Sequence, residues 1–298
     1  MSKKQKWAVD LGMLIVVFYI MAILLLIFRD QLVLHPMQDE SWKAMLPQLE
    51  TITGGKARQI KIPVQDKGNK SEVLLHALYL QVPGSDKLIL ITHGNAGNLG
   101  HRLGLTALLA KTGNSVLVFD YQGYGESSGK ARLDALIDNT QAVYGYAQSA
   151  LGYPCNRIIM YGESIGCGIA SDTATRLGAL SQSPAAIILQ SPFLSLSSCA
   201  KDKIFFLRLV PDFFFPPPLL NNLAYVKSSH PPLMVIHGDR DEILPVQYGR
   251  TLFNEAIKPK ALYISEGQGH NDVGISDARL FVEAVTGFLK SSLQIRAQ

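Results

Sequence analysis

Cysteine and charge are both scarce in this chain. Its three cysteines, Cys155, Cys167 and Cys199, are odd in number and never in CxxC spacing. That excludes a disulfide-stapled miniprotein and a cysteine zinc site. No HExxH run or comparable ligand cluster occurs, so neither a metal nor a cofactor is expected. Charged residues fill 17% of the 298 positions, against about 25% in an average soluble protein. Lys and Arg (28) exceed Asp and Glu (24) by only four, and the sole basic cluster is Lys3, Lys4 and Lys6. The electrostatic footprint of a nucleic-acid binder is therefore missing. Disorder is excluded on the opposite ground, because 47% hydrophobic residues and a mean hydropathy of +0.14 supply ample surface for a core. Single α/β domains reach roughly 250 residues, so one large domain with an appendage fits the length.

The charge deficit is concentrated from Leu11 to Phe28, eighteen uncharged and mostly aliphatic or aromatic residues. As a helix this run is roughly 27 Å long, enough to cross a bilayer. A cleaved signal peptide and a buried core helix are the competing readings. Arg29, Asp30 and Gln31 stand where a small-residue cleavage site would be, which favours an uncleaved single-pass anchor touching membrane lipid through residues 11–28. The preceding lysines place the N-terminus in the cytoplasm and the rest of the chain on the non-cytoplasmic side. Residues 1–30 thus read as tail and anchor, and 31–58 as a connector. The connector, with Trp42, Met45 and Leu46, either lies along the membrane surface or packs on the main domain.

From residue 59 to 298 the pattern is that of a single α/β domain. Short β-branched runs (74–82, 87–92, 115–119, 157–161, 186–189, 233–236, 261–264) alternate with helical stretches (102–111, 133–149, 168–177, 246–256). Such alternation predicts a mostly parallel sheet covered by helices on both faces, with the chemistry gathered at the carboxyl ends of the strands.

Two GxSxG strings occur. Gly162-Glu163-Ser164-Ile165-Gly166 follows a strand-like run directly and leads into small residues that allow a helix to start against the sheet. That is the setting of a nucleophile elbow. Gly125-Glu126-Ser127-Ser128-Gly129 stands several residues beyond its strand, inside a loop, so Ser164 is the candidate nucleophile and Ser127 a decoy. A serine hydroxyl needs a base that a third group orients. The later strands end in His237-Gly238-Asp239-Arg240-Asp241 and Gln268-Gly269-His270-Asn271-Asp272. His270 is the candidate base. Asp241 is the candidate acid, and Asp239 is the alternative, with a turn role of its own. His93 and His237 precede glycines at strand ends and read as structural. The developing oxyanion needs two backbone donors. Ile165, after the nucleophile, is one; the loop His93-Gly94-Asn95-Ala96-Gly97-Asn98 supplies the other, at Asn95 or next at Ala96.

Six motifs in this order, HGNAGN at His93, DYQGYGESSG at Asp120, YGESIG at Tyr161, SPF at Ser191, HGDRDEILP at His237 and GHND at Gly269, resemble the α/β-hydrolase superfamily. Within it the chain is similar to membrane-anchored abhydrolase-domain proteins of the bud-emergence type. The resemblance covers about residues 60 to 293. It implies an α/β-hydrolase fold and a serine hydrolase acting on esters or thioesters of small-molecule or acylated substrates. A cap is expected at about 199–230, where Phe205 to Leu220 are apolar, aromatic and interrupted by Pro216 to Pro218. It would line an acyl pocket, dip into the bilayer, or pack on the core. A serine peptidase or amidase of the same fold, and a noncatalytic binding protein, are the alternatives.

Overall fold

The computed structural model describes residues 1–215, 217 and 220–294. Helix α1 (Lys3–Ile27) opens with a capping box, in which the Ser2 hydroxyl accepts from the Gln5 amide and Gln5 Oε1 accepts from the Ser2 amide. Among the described residues it is the one helix long and apolar enough to cross a membrane. A single turn, α2 (Arg29–Val33), leads to β1 (His35–Pro36) and α3 (Leu46–Thr53). Part of the connector packs on the main domain. Trp42 is buried against Gly100, where even a Cβ would lie 2.3 Å from the indole, and His35 and Pro36 pair with Ala96 and Gly97.

The main domain runs β2 (Lys56–Asp66), β3 (Ser71–Gln81), β4 (Leu88–Thr92), β5 (Ala96–Gly97), α4 (Leu103–Ala110), β6 (Ser115–Phe119), α5 (Leu133–Ser149) and β7 (Ile158–Glu163). It continues with α6 (Ile165–Ala179), β8 (Ala186–Gln190), α7 (Leu196–Lys203), α8 (Asn222–Lys227), β9 (Leu233–Gly238), α9 (Val246–Glu255), β10 (Lys260–Ser265) and α10 (Ala278–Gln294). Eight strands form one sheet in the order β10-β9-β8-β7-β4-β6-β3-β2, parallel except for the β2–β3 and β3–β6 pairs. All five residues of β4 are buried, and they alternate between two cores. Leu88 and Leu90 pack with residues of α5 and α6 on one face, while Ile89 and Ile91 pack with residues of α4 and α10 on the other. β6 and β7 flank β4 on opposite sides, so the strand order reverses at β4. A crevice opens beyond the carboxyl ends of the strands at such a reversal.

Two elements go beyond the alternation read from the sequence. β2 is the edge strand, burying Ile62, Val64 and Asp66 while its other face meets solvent, which dilutes its apolar signal; the expected boundary at residue 59 falls inside it. Pro63 is tolerated there because its partner Leu74 turns its N–H and C=O to Ser128. The missing proline donor thus falls on the open edge. α10 buries Phe281, Val285, Phe288 and Leu289 on one stripe. The cap consists of α7, two short 3₁₀ turns (Phe205–Leu209 and Asp212–Phe214) and α8. Of its four prolines, Pro216 and Pro218 lie outside the described residues, as does Leu219.

Candidate active site

The turn between β7 and α6 is sharp because three residues make it so. Ser164 sits at φ 55°, ψ −118°, outside the regions L-residues favour, and its N–H donates to Gln190 O. Such a backbone is strained and is held by its surroundings. The flanking glycines are required by contact. A Cβ on Gly166 would lie 1.9 Å from Thr92 O, and one on Gly162 would lie 2.6 Å from the Cys167 Cα. Thr92 Oγ1 also donates toward Gly166 O and Tyr161 O, stitching β4 to both sides of the turn. Helix α6 begins at Ile165, immediately after the serine.

Ser164, His270 and Asp241 come together across these strand ends. His270 Nε2 is 3.1 Å from Ser164 Oγ, and His270 Nδ1 is 2.7 Å from Asp241 Oδ2. A carboxylate only accepts, so Nδ1 carries the proton and leaves Nε2 to accept from the serine hydroxyl. The other oxygen of Asp241, Oδ1, accepts from the Ile243 and Leu244 amides at 2.9 and 2.8 Å. Burial pushes the Asp241 carboxyl up. The hydrogen bonds from His237, His270 and the Leu244 amide outweigh it and hold the group well below the usual carboxylate range. Asp239, the alternative acid, is exposed, and its Oδ1 accepts from the Gly267 amide at 2.6 Å. It ties two loops together and does not reach His270.

Ser127 lies away from this constellation. Its hydroxyl donates to Asp120 O at 2.7 Å and accepts from the His76 amide at 2.8 Å, so it fastens the loop to β3. The two residues expected to donate to an oxyanion, Asn95 and Ile165, line the same cavity as Ser164. Among the described residues, no acceptor engages either N–H. The rest of Asn95 is tied back. Its carbonyl accepts from Tyr124 Oη and the His35 amide, and its side chain donates to Val33 O. Ala96 is exposed, and the cavity lining does not include it.

Two positions carry more than the sequence showed. Arg102 binds Glu163, the residue before Ser164, through Nε to Oε2 at 2.9 Å and Nη2 to Oε1 at 3.1 Å, and its Nη1 donates to Ala96 O at 2.9 Å. One guanidinium thereby clamps the loop of Asn95 onto the turn of Ser164. The absent side chain of Gly94 gives it room, because a Cβ there would lie 2.9 Å from Arg102 Nη2. His237 is fully buried; its Nε2 lies 2.8 Å from Leu244 O and 3.3 Å from Asp241 Oδ2. Both neighbours are acceptors, so Nε2 is protonated and steadies the carboxylate. Nothing in the sequence pairs Arg102 with Glu163, 61 positions apart. The place of His237 before a glycine at a strand end did mark it as structural.

A cavity of about 790 Å³ opens above Ser164 with mostly apolar walls, drawn from α1, α7 and the 3₁₀ turns of the cap. Cap residues such as Leu207 and Val210 line this cavity, while Leu220, Tyr225 and Val226 of the same segment pack on the core.

The chain has relatives and structural neighbours among known proteins. The model of the serine aminopeptidase family, S33, matches residues 83–224. An uncharacterized protein of Mycobacterium tuberculosis is 33% identical over 209 residues, covering 69% of this chain and 70% of its own. Lysophosphatidylserine lipase ABHD12 of Macaca fascicularis is 32% identical over 205 residues, 64% of this chain and 51% of the lipase; the match thus spans about half of that protein. Among solved structures, an esterase of Pyrococcus furiosus superposes with a TM-score of 0.67 at 19% identity over 88% of this chain and 98% of the esterase. An α/β hydrolase from Vibrio vulnificus gives 0.67 at 16% identity, over 85% and 88%. These structural likenesses speak for the fold, and the matches reach the superfamily, not its bud-emergence branch. With the order of its motifs, the reversal of strand order at β4 and a relative aligned over more than two thirds of both chains, this protein belongs to the α/β-hydrolase superfamily.

Proposed function

We propose that the protein is a membrane-anchored serine hydrolase that cleaves carboxylic esters of apolar acyl groups through an acyl-enzyme. The observation that supports this reading is the hydrogen-bonded line from Ser164 Oγ through His270 to Asp241, set at an apolar cavity. In this mechanism Ser164 Oγ attacks the acyl carbonyl as His270 Nε2 takes its proton. Asp241 steadies the imidazolium so formed, and the amides of Asn95 and Ile165 receive the oxyanion. His270 then returns the proton to the leaving oxygen. Water, activated by the same imidazole, attacks the acyl carbon and restores Ser164. Thioesters react by the same steps with a thiol as leaving group.

The walls support this substrate class. A cavity with few polar groups suits an acyl chain and leaves the amides of a peptide unpaired, at a cost of roughly 1–3 kcal/mol each. The lipase activity in the name of the ABHD12 relatives agrees with a monoacyl lipid ester, while the serine aminopeptidase description points to amides. α1 serves as the anchor, with Lys3, Lys4 and Lys6 on the cytoplasmic side and the hydrolase domain on the other. The test is hydrolysis by the full-length protein of a lysophospholipid and of an amide with the same acyl chain. The expected result is fatty-acid release from the ester, abolished in Ser164→Ala. Faster cleavage of the amide would move the assignment to an amidase. Turnover of neither would leave a noncatalytic binding protein.

A further inference from the structure

Helix α1 does more than tether the domain. The cavity above Ser164 has a polar end formed by Asn95, Ser164 and Ile165, a wall from the cap, and a second wall from α1 that includes Phe18 and Ala22. Two contacts hold the cap to α1 and to the start of α2. The Phe18 ring meets Phe206 of the cap edge to face at 5.9 Å, and Arg29 Nη1 donates to Pro217 O at 2.7 Å.

The position of these contacts along α1 sets their depth. Phe28 closes the uncharged run, and Phe18 and Ala22 lie ten and six residues before it. At 1.5 Å per residue that is about 15 Å and about 9 Å, which puts Phe18 near the midplane of a hydrocarbon core about 30 Å thick and Ala22 in the nearer half. A cap residue touching Phe18 must then lie within the hydrocarbon core as well. The outer surface of the cap fits this placement. Phe205 and Phe213, neither of which lines the cavity, are 78% and 80% exposed, an arrangement unfavourable in water and favourable in hydrocarbon.

We infer that α1 and the cap together form an acyl-binding site sunk in the membrane leaflet on the hydrolase side. A monoacyl amphiphile reaches Ser164 laterally from that leaflet, its chain lying between α1 and the cap and its head group remaining at the interface. The inference rests on the ester-hydrolase reading above and extends it: α1 determines which acyl chains fit.

The test uses the full-length protein in phosphatidylcholine nanodiscs with two variants of α1. Ala22→Trp places an indole in the cavity wall. Ile20→Trp, about 160° away from Ala22 around the helix and at similar depth, is the control; Ile20 is 51% exposed and does not line the cavity. For Ala22→Trp, the ratio of kcat/KM for a dodecanoate ester to that for an acetate ester is expected to fall about tenfold, the equivalent of excluding two methylenes. Ile20→Trp keeps the wild-type ratio. A second measurement does not depend on how the variant folds. A long-chain fluorophosphonate with a diazirine near its chain end, bound to wild-type Ser164, is expected to crosslink to residues 18–25. Crosslinks confined to the cap, or an Ala22→Trp ratio equal to wild type, would overturn this inference while ester hydrolysis stands. A wild-type protein that hydrolyses neither ester would overturn the ester-hydrolase reading and this one with it.

Discussion

The Arg102 clamp gives the account its most demanding prediction. Arg102→Ala removes three hydrogen bonds, two to Glu163 and one to Ala96 O. Two separable effects follow. The first concerns stability. The Arg102 and Glu163 side chains are both 12% exposed, so the orphaned carboxylate costs less than the 3–5 kcal/mol of a fully buried broken pair, and about 2 kcal/mol is predicted. The second concerns rate. With the clamp gone, the loop of Asn95 is no longer pinned against the turn of Ser164, and one oxyanion donor loses its position. A lost donor costs roughly 3–4 kcal/mol of barrier, or 10²–10³ in kcat. Because the oxyanion exists only near the transition state, the loss falls on kcat, with KM changing less than about threefold. The double variant Arg102→Ala/Glu163→Ala separates the effects: removing the stranded carboxylate restores most of the stability and none of the rate. Urea unfolding and steady-state ester hydrolysis provide the two readouts. A kcat within about threefold of wild type in Arg102→Ala, in a folded protein, would refute the reasoning.

Further predictions concern the neighbouring residues. Ser127→Ala strands the buried His76 amide and is predicted to lose about 1–3 kcal/mol in unfolding experiments, while esterase activity in the folded protein stays at the wild-type level. Asp241→Asn is predicted to lower kcat by roughly 10⁴, whereas Asp239→Asn changes it less than about threefold; comparable losses in both would reassign the acid. Burial raises the Asp120 carboxyl from 3.8 to about 7. Between those values the unfolded chain has lost this proton and the folded chain keeps it, so the group makes folding less stable as pH rises, by up to about 4 kcal/mol. Asp120→Asn removes that term. Its stability relative to wild type is therefore predicted to improve from pH 4 to pH 7, and a pH-independent difference would count against it.

Much of this site could be read before the fold was known, because its parts are local. An apolar run, a GxSxG turn and a run of small residues are contiguous signals, and each of the three triad candidates follows a strand that the sequence displays as such. Ser127 could be set aside because its string stands too far from its strand, and the structure gives its hydroxyl two bonds in a loop. What escaped was long-range or one-sided. Strand β2 shows only half an apolar pattern because the other half faces water. Residues 31–55 carry enough apolar side chains for either a membrane surface or a protein groove, and only Gly100 opposite Trp42 distinguishes the two. The Arg102–Glu163 pair, the bifurcated donor His237 and the meeting of Phe18 with Phe206 depend on residues brought together by topology. Ion pairs and ring contacts of that kind leave no periodicity to read.

The most direct test of the central claim is to locate the nucleophile chemically. The full-length protein is treated with a fluorophosphonate, digested, and its adduct mapped by mass spectrometry. A single phosphonylated residue, Ser164, is predicted, with labelling abolished in His270→Ala and retained in Ser127→Ala. Phosphonylation at Ser127, or no adduct on folded wild-type protein, would contradict it.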